Sequence, residues 1–356
     1  MICCLLIDNV CGKWWLLSQY NMSAVDEPYI ICDHIPGLDR TQRHFCRRHP
    51  TVIHAIASGV RLAIGECQHR FRHHRWNCST NPRDVTLFGR HVLSALSRET
   101  AFIYAITSAG VAHSITRWCS AGLLANCACD PTRVGGHRAR DPSGQFTWGG
   151  CSQYVRYGTV FARQFIDRQD RRVRDANALM NLHNNHVGRQ MVVKTVRLVC
   201  KCHGVSASCL ARTCWRTVGD FRAVSRALMA RYTSARRVNV LQTRDRIHGL
   251  RKTRGTRRWR AATAQQTNNQ LIYFDPSPDY CNVGHKYAFS GTEGRVCNRT
   301  ATAGASDSCD IMCCGSGYRT RRLTVRYECG CRFYWCCRVK CLECKKTLTI
   351  NTCKSG

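Results

Sequence analysis

The spacing of the cysteines constrains this chain more than any other feature. There are 27 of them in 356 residues. Three pairs are C-x-C (Cys127/Cys129, Cys200/Cys202, Cys329/Cys331), and beyond Cys3/Cys4 two are adjacent (Cys313/Cys314, Cys336/Cys337). Zinc prefers repeated C-x-x-C or Cys/His pairs converging on a tetrahedral ion. Here Cys341 and Cys344 form a C-x-x-C with no companion pair, and adjacent cysteines point in poor directions for one ion. The economical reading is a disulfide framework without a metal site. A secretory route follows, because reducing compartments do not preserve such a framework.

The formal net charge is +32, which calls for a polyanionic partner or environment. Arginine-rich surfaces suit nucleic acid, but oxidised cysteines exclude the nuclear compartment, so sulfated polysaccharide or anionic membrane is expected instead. No run of 18 apolar residues is available to span a membrane. The opening MICCLLIDNVCGKWW has a short apolar stretch broken by Asp8, without a basic leader or a small-residue cleavage site. Residues 1–30 are therefore read as an N-terminal segment with a residual or truncated signal. Setting Cys3, Cys4 and Cys11 aside leaves an even number of cysteines that can pair completely.

The chain is long enough for a genuine core in two parts. Residues 50–72 carry Val52, Ile53, Ile56, Val60, Ala63, Ile64, Cys67 and Phe71 on one helical stripe, opened by Pro50. Residues 91–118 are apolar on nearly all sides, as a central buried helix would be. Residues 153–190 read as another long helix, with Tyr157, Phe161 and Phe165 one turn apart. Its far end, ALMNLHNN, is polar enough to approach a surface or a turn. Residues 132–149 read as an exposed loop, and 243–270, arginine-dense and aperiodic, as a basic linker. The expected organisation is a helical N-terminal domain over 31–242, that linker, and a cystine-rich C-terminal domain over 271–356.

The C-terminal part has 12 cysteines in 86 residues, too dense for a conventional core. From Leu323 the odd positions are Leu323, Val325, Tyr327, Cys329, Cys331, Phe333 and Trp335, alternating with Arg322, Arg326, Glu328 and Arg332. Period-two alternation predicts a strand. A hairpin folded near Cys336–Cys337 sets Cys331 opposite Cys341 and Cys329 near Cys344. Its tip then carries Phe333, Trp335 and Val339 into solvent, as a contact site would. The same logic applied to CKCHGVSASCLARTCW (200–215) nests Cys202–Cys209 inside Cys200–Cys214, with HGVSAS at the tip. Each bridge contributes about 2–4 kcal/mol. Ser206 and Ser208 lie near His203, but there is no G-x-S-x-G elbow and no acid to orient the histidine, so no catalytic residue is assigned.

CKCHGVSASCLARTCW strongly resembles the C-K-C-H-G-[VLI]-S-G-S-C…TCW signature of Wnt proteins. CDHIPGL, ECQHRFRHHRWNCS, SRETAFIYAITSAGV, CACDP, WGGCS, ALMNLHNN, SPDYC, GRVCNRT, CDIMCCGSGY and CGCRFYWCCRVKC resemble the family in order, from about residue 14 to 354. The resemblance implies an α+β, disulfide-rich fold: an N-terminal helical bundle with a cystine-locked β-hairpin, and a small C-terminal cystine-rich β-hairpin domain. It implies a secreted, extracellular-matrix-associated ligand rather than an enzyme. No cofactor is implied beyond a covalent palmitoleate on Ser206, transferred by the Wnt acyltransferase and shielded by a lipid carrier during secretion. The acyl chain would enter the cysteine-rich domain of Frizzled receptors, and Phe333, Trp335, Cys336, Cys337 and Val339 would form the second receptor grip.

The family's pairing pattern implies Cys67–Cys78, Cys119–Cys127, Cys129–Cys151, Cys200–Cys214 and Cys202–Cys209. In the C-terminal part it implies Cys281–Cys314, Cys297–Cys309, Cys313–Cys353, Cys329–Cys344, Cys331–Cys341 and Cys336–Cys337, with Cys32 and Cys46 left to pair. Of three sequons, Asn21, Asn77 and Asn298, the last two match family glycosylation positions. The linker cluster Arg244, Arg246, Arg251, Lys252, Arg254, Arg257, Arg258 and Arg260 is read as a heparan sulfate site, in a segment that in the family also touches low-density-lipoprotein-receptor-related co-receptors. Two residues depart from the pattern. Ala207 replaces a glycine, which restricts positive φ at the tip, and Tyr334 stands where a polar residue such as His is common. A heparan-sulfate-bound matrix protein with weakened signalling is the alternative reading.

Overall fold

The computed structural model describes residues 14–19, 32–35, 37–81, 84, 86–133, 146–173, 175–243, 246–252, 269–281, 291–302 and 304–355. Cys3, Cys4, Cys11, Asn21, most of the 132–149 loop and residues 244–245 and 253–268 of the linker lie outside them. The chain divides into two compact units, one of residues 1–70 and 78–278, the other of 71–77 and 279–356. Mixed helices and strands and 11 disulfides among the described residues make the fold α+β and disulfide-rich.

The first unit is built on helices α1 (Arg40–Arg48), α2 (Pro50–Phe71), α3 (Arg90–Ser94), α4 (Arg98–Ser120), α5 (Val155–Ile166), α6 (Arg168–Val173), α7 (Ala176–Lys194) and α8 (Phe221–Thr233). α4 is the central helix. Its residues are buried from Glu99 through Thr116, as expected of a segment without a polar face. Two of its hydroxyls are satisfied inside the helix, Thr107 donating to the Ile103 carbonyl at 2.7 Å and Thr116 to that of Ala112 at 2.8 Å. Close approach of the neighbours depends on missing side chains. A Cβ on Gly59 of α2, Gly158 of α5 or Gly188 of α7 would collide with the α4 backbone at Gly110, Ala112 or Ala105. Residues 14–17 of the N-terminal segment join this core. Trp15 is fully buried, edge-on to Phe88 and Tyr104 with ring centres 5.3 Å away.

The helical expectation for 153–190 is broken twice. Asp167 ends α5, and Asp175 starts α7 by accepting the Ala178 amide at 2.6 Å. ALMNLHNN does not approach the surface, for Asn181, Asn184 and Asn185 are buried. Asn184 exchanges two 3.0 Å hydrogen bonds with the Ile272 backbone, and Asn185 donates to Asp167 at 3.3 Å. Arg189 grips the same Asp167 through both guanidinium nitrogens, at 2.9 and 2.8 Å, and donates to Ser108. Polar residues here serve as internal cross-links to partners distant in sequence, although the Oδ1 atoms of Asn181 and Asn185 are buried without a hydrogen-bond partner.

Two small sheets complete the unit. β1 (Thr147–Trp148) runs parallel to β3 (Arg212–Thr217), which pairs antiparallel with β2 (Arg197–Cys202). β4 (Arg236–Thr243) lies between β5 (Arg246–Lys252) and β6 (Ile272–Tyr273). β5 thus occupies the start of the segment read as linker.

The second unit is held by covalent bonds more than by volume. Its core consists of Cys297, Cys309, Met312, Cys313 and Cys353, with Tyr318 packed against them. Arg75 donates to the Ile311 carbonyl at 2.7 Å, and Arg295 donates to the carbonyls of Arg72 and Arg75. β7 (Val296–Cys297) pairs with the end of β9 (Arg338–Cys353), and β9 pairs along its length with β8 (Tyr318–Tyr334). The β8–β9 ribbon is solvent-exposed on both faces for most of its length.

Candidate functional site

The β2–β3 hairpin sets Cys200 opposite Cys214, and these two cysteines are bridged. Cys202–Cys209 closes a second, inner ring. Within it the Gly204 amide donates to the Ser208 carbonyl at 2.9 Å, and the Ser208 amide to that of Val205 at 3.1 Å. The tip is a single tight turn in which Ser206 takes φ 55° and ψ 35°, the left-handed region. Ser206, and not position 207, is therefore the residue with positive φ, so alanine at 207 meets no backbone obstacle of the kind the sequence suggested. Ser206 is exposed, flanked by Val205 at 91% and Leu210 at 96% exposure. The His203 ring nitrogen Nε2 engages the Thr213 hydroxyl at 2.7 Å.

The second tip closes β8 and β9. Cys331–Cys341 and Cys329–Cys344 are bridged. The register shifts between Cys329 and Arg332: Cys329 pairs with Leu342 but Arg332 with Lys340. This bulge breaks the period-two alternation, because an extra residue on one strand reverses which face the next side chains occupy. Phe333 and Val339 are consequently paired on the face opposite to Leu323, Tyr327 and Leu348. The tip exposes Trp335 at 94%, Phe333 at 68% and Val339 at 60%. Lys340 lies over the Tyr334 ring, 5.7 Å from its centre.

Cys336 and Cys337 differ from the implied pair. Both are exposed free thiols. They take φ values of 76° and 69° and serve as the left-handed residues of the turn, where positive φ matches the twist of the flanking strands. The other implied pairs are bridged in the structure, together with Cys32–Cys46. Asn298 is exposed, its Oδ1 accepting from the Thr300 amide and hydroxyl at 3.1 and 3.0 Å, whereas Asn77 is half-buried. Side chains of the basic cluster 244–260 lie outside the described residues.

Sequence reasoning passed over Gly204 and the apolar flank of Val205 and Leu210. The glycine was the available signal, since a Cβ there would overlap Ser208. Together these features define a cystine-stapled α+β protein that displays two bridged, partly apolar hairpin tips. The family model for the wnt family matches residues 34–354, so the chain belongs to the Wnt family of signalling ligands. It is 48% identical to human Protein Wnt-2b over 96% of this chain and 83% of that one. It is 45% identical to Protein Wnt-2b-A of Xenopus laevis over 100% and 95%. A solved chain in human WLS in complex with WNT8A matches with a TM-score of 0.59 and 32% identity, covering 92% of this chain and 98% of that one.

Proposed function

We propose that this chain is a secreted ligand that carries palmitoleate as an ester on Ser206 and binds the cysteine-rich domain of a Frizzled receptor. The acyl chain is one grip, and the tip of Phe333, Trp335, Cys336, Cys337 and Val339 is the other. The reading is carried by one observation: an exposed serine hydroxyl at the end of a rod closed by two disulfides. Such a rod keeps a lipid from folding into the protein that bears it. In the transfer, Ser206 Oγ attacks the acyl thioester, its proton is lost and the thiol leaves; the chain is the acceptor and the acyltransferase the catalyst. Burying about a dozen methylenes in a receptor groove supplies on the order of 10 kcal/mol gross.

During secretion the lipid needs a carrier, and the solved complex of WLS with WNT8A supports that partner class for this chain. Glycans on Asn77 and Asn298, a co-receptor of the low-density-lipoprotein-receptor-related type at the linker, and heparan sulfate in the extracellular matrix complete the proposal. The test is peptide mass analysis of secreted protein together with a β-catenin reporter. A palmitoleate mass on the Ser206 peptide and loss of signal in Ser206→Ala are expected. An unmodified Ser206 peptide overturns the reading.

A second reading, a matrix protein bound to heparan sulfate with weakened signalling, is favoured by the net charge of +32. It predicts heparin retention without measurable Frizzled binding, which a binding assay with the isolated receptor domain distinguishes.

A further inference from the structure

Within the first unit, a cavity of about 180 Å³ opens between α3, α4, α6 and the first turns of α7. Leu93, Tyr104 and Ala178 are buried and make its inner wall largely apolar, whereas Arg90 and Val173 are exposed at its rim. Two carboxylates, Asp170 and Asp175, also line it. Asp175 Oδ1 accepts the Ala178 amide, and among the described residues neither Asp175 nor Arg90 enters an ion pair. Asn181 completes the polar side. It is 6% exposed, its Nδ2 donates to Asp170 at 3.3 Å, and its Oδ1 is buried without a hydrogen-bond partner. Buried acceptors are nearly always paired, so an orphan in a cavity wall marks a place for a donor.

The lining selects the chemistry of what fits. Two carboxylates and an amide oxygen against one arginine favour a cation over an anion. Calcium takes about six to eight oxygen ligands, and Leu93 and Leu96 stand where its waters would have to be. An apolar body with one charged end matches both halves of the wall. Drug-sized ligands occupy about 300 Å³ or more, whereas a cavity of about 150 Å³ takes benzene. We infer that this cavity binds a small primary amine in its protonated form. The ammonium donates to Asp170 and Asp175, and the ring or short chain lies against Leu93, Leu96 and Tyr104. A half-turn of the Asn181 amide brings Oδ1 beside the ammonium as a third acceptor, at the expense of a hydrogen bond that is already long.

The test is calorimetric titration of the secreted full chain near neutral pH with benzylamine, benzyl alcohol and benzoate, which share a ring and differ in charge. Saturable binding of benzylamine, at least tenfold tighter than benzyl alcohol, and no saturation by benzoate are expected. Equal affinity for the alcohol, tighter binding of benzoate or no saturation by benzylamine overturns the inference. Asp170→Asn keeps the shape and removes a charge, so it should weaken benzylamine at least fivefold and leave benzyl alcohol unchanged. Arg90→Gln, at the exposed rim, removes a repulsion and should tighten benzylamine about twofold. Weaker binding in Arg90→Gln, or benzylamine binding that neither variant alters, places the amine elsewhere and overturns the site. Should Asp170→Asn fail to fold, Arg90→Gln and the three-ligand comparison still decide.

Discussion

The amide of Gly204 donates to the carbonyl of Ser208 at 2.9 Å, and a methyl group on Gly204 would collide with Ser208. The contact pins the left-handed Ser206 between them. Gly204→Ala is expected to open the tip and lower acylation of Ser206 severalfold, read from the acylated fraction of the secreted peptide. Ala207→Gly should leave acylation unchanged and alter stability by less than about 1 kcal/mol, because position 207 does not carry the positive φ.

Trp335 offers the largest exposed apolar side chain at the second tip, at 94% exposure. Trp335→Ala should weaken binding to the Frizzled cysteine-rich domain by about 2 kcal/mol or more, roughly thirtyfold. Leu348→Ala, on the ribbon away from the tip, should change it little. Biolayer interferometry with the isolated receptor domain checks both, and equal effects would contradict the assignment.

Arg189 and Asp167 form a buried, two-point ion pair. Arg189→Met strands the carboxylate and should cost about 3–5 kcal/mol of stability. Arg189→Lys should not restore it, since an ammonium cannot reproduce the fork. The double variant Asp167→Leu, Arg189→Met should lose less than Arg189→Met alone. Urea midpoints with unchanged m-values report all three.

His113 is 2% exposed in α4. Burial holds its pKa below the usual 6.5; the hydrogen bond to the Gly219 carbonyl opposes this, nearby Arg117 adds to it and Asp220 opposes it. Unfolded chains therefore bind the proton more readily. The contribution to stability is complete above pH 6.5 and is lost as pH falls from there through the lower folded-state pKa. Unfolding free energies at about pH 7.5 and about pH 5 should differ less in His113→Gln than in the parent. An identical difference in the two proteins contradicts this.

The features legible in sequence are those governed by near neighbours. Cys202 and Cys209 close a short ring, so their spacing alone announces a hairpin. The apolar run 98–120 has no polar face to show water, so its central burial could be read directly. Ribbon alternation was legible as far as Cys329, where the bulge reversed the faces, because a register shift depends on the partner strand. ALMNLHNN was misread for a related reason: its asparagines look solvated until Asp167 and Ile272 are seen beside them.

By itself, then, the chain determined the cystine rungs of its two hairpins, its central helix and its membership of a ligand family, since these rest on spacing, periodicity and local motif. Tertiary structure alone decided that Ser206 takes the left-handed turn, that Cys336 and Cys337 stand as free thiols, and that the bulge after Cys329 turns Phe333 and Val339 to the opposite face. Each is set by backbone geometry or by a residue distant along the chain, and neither is expressed in the spacing of side chains along a sequence.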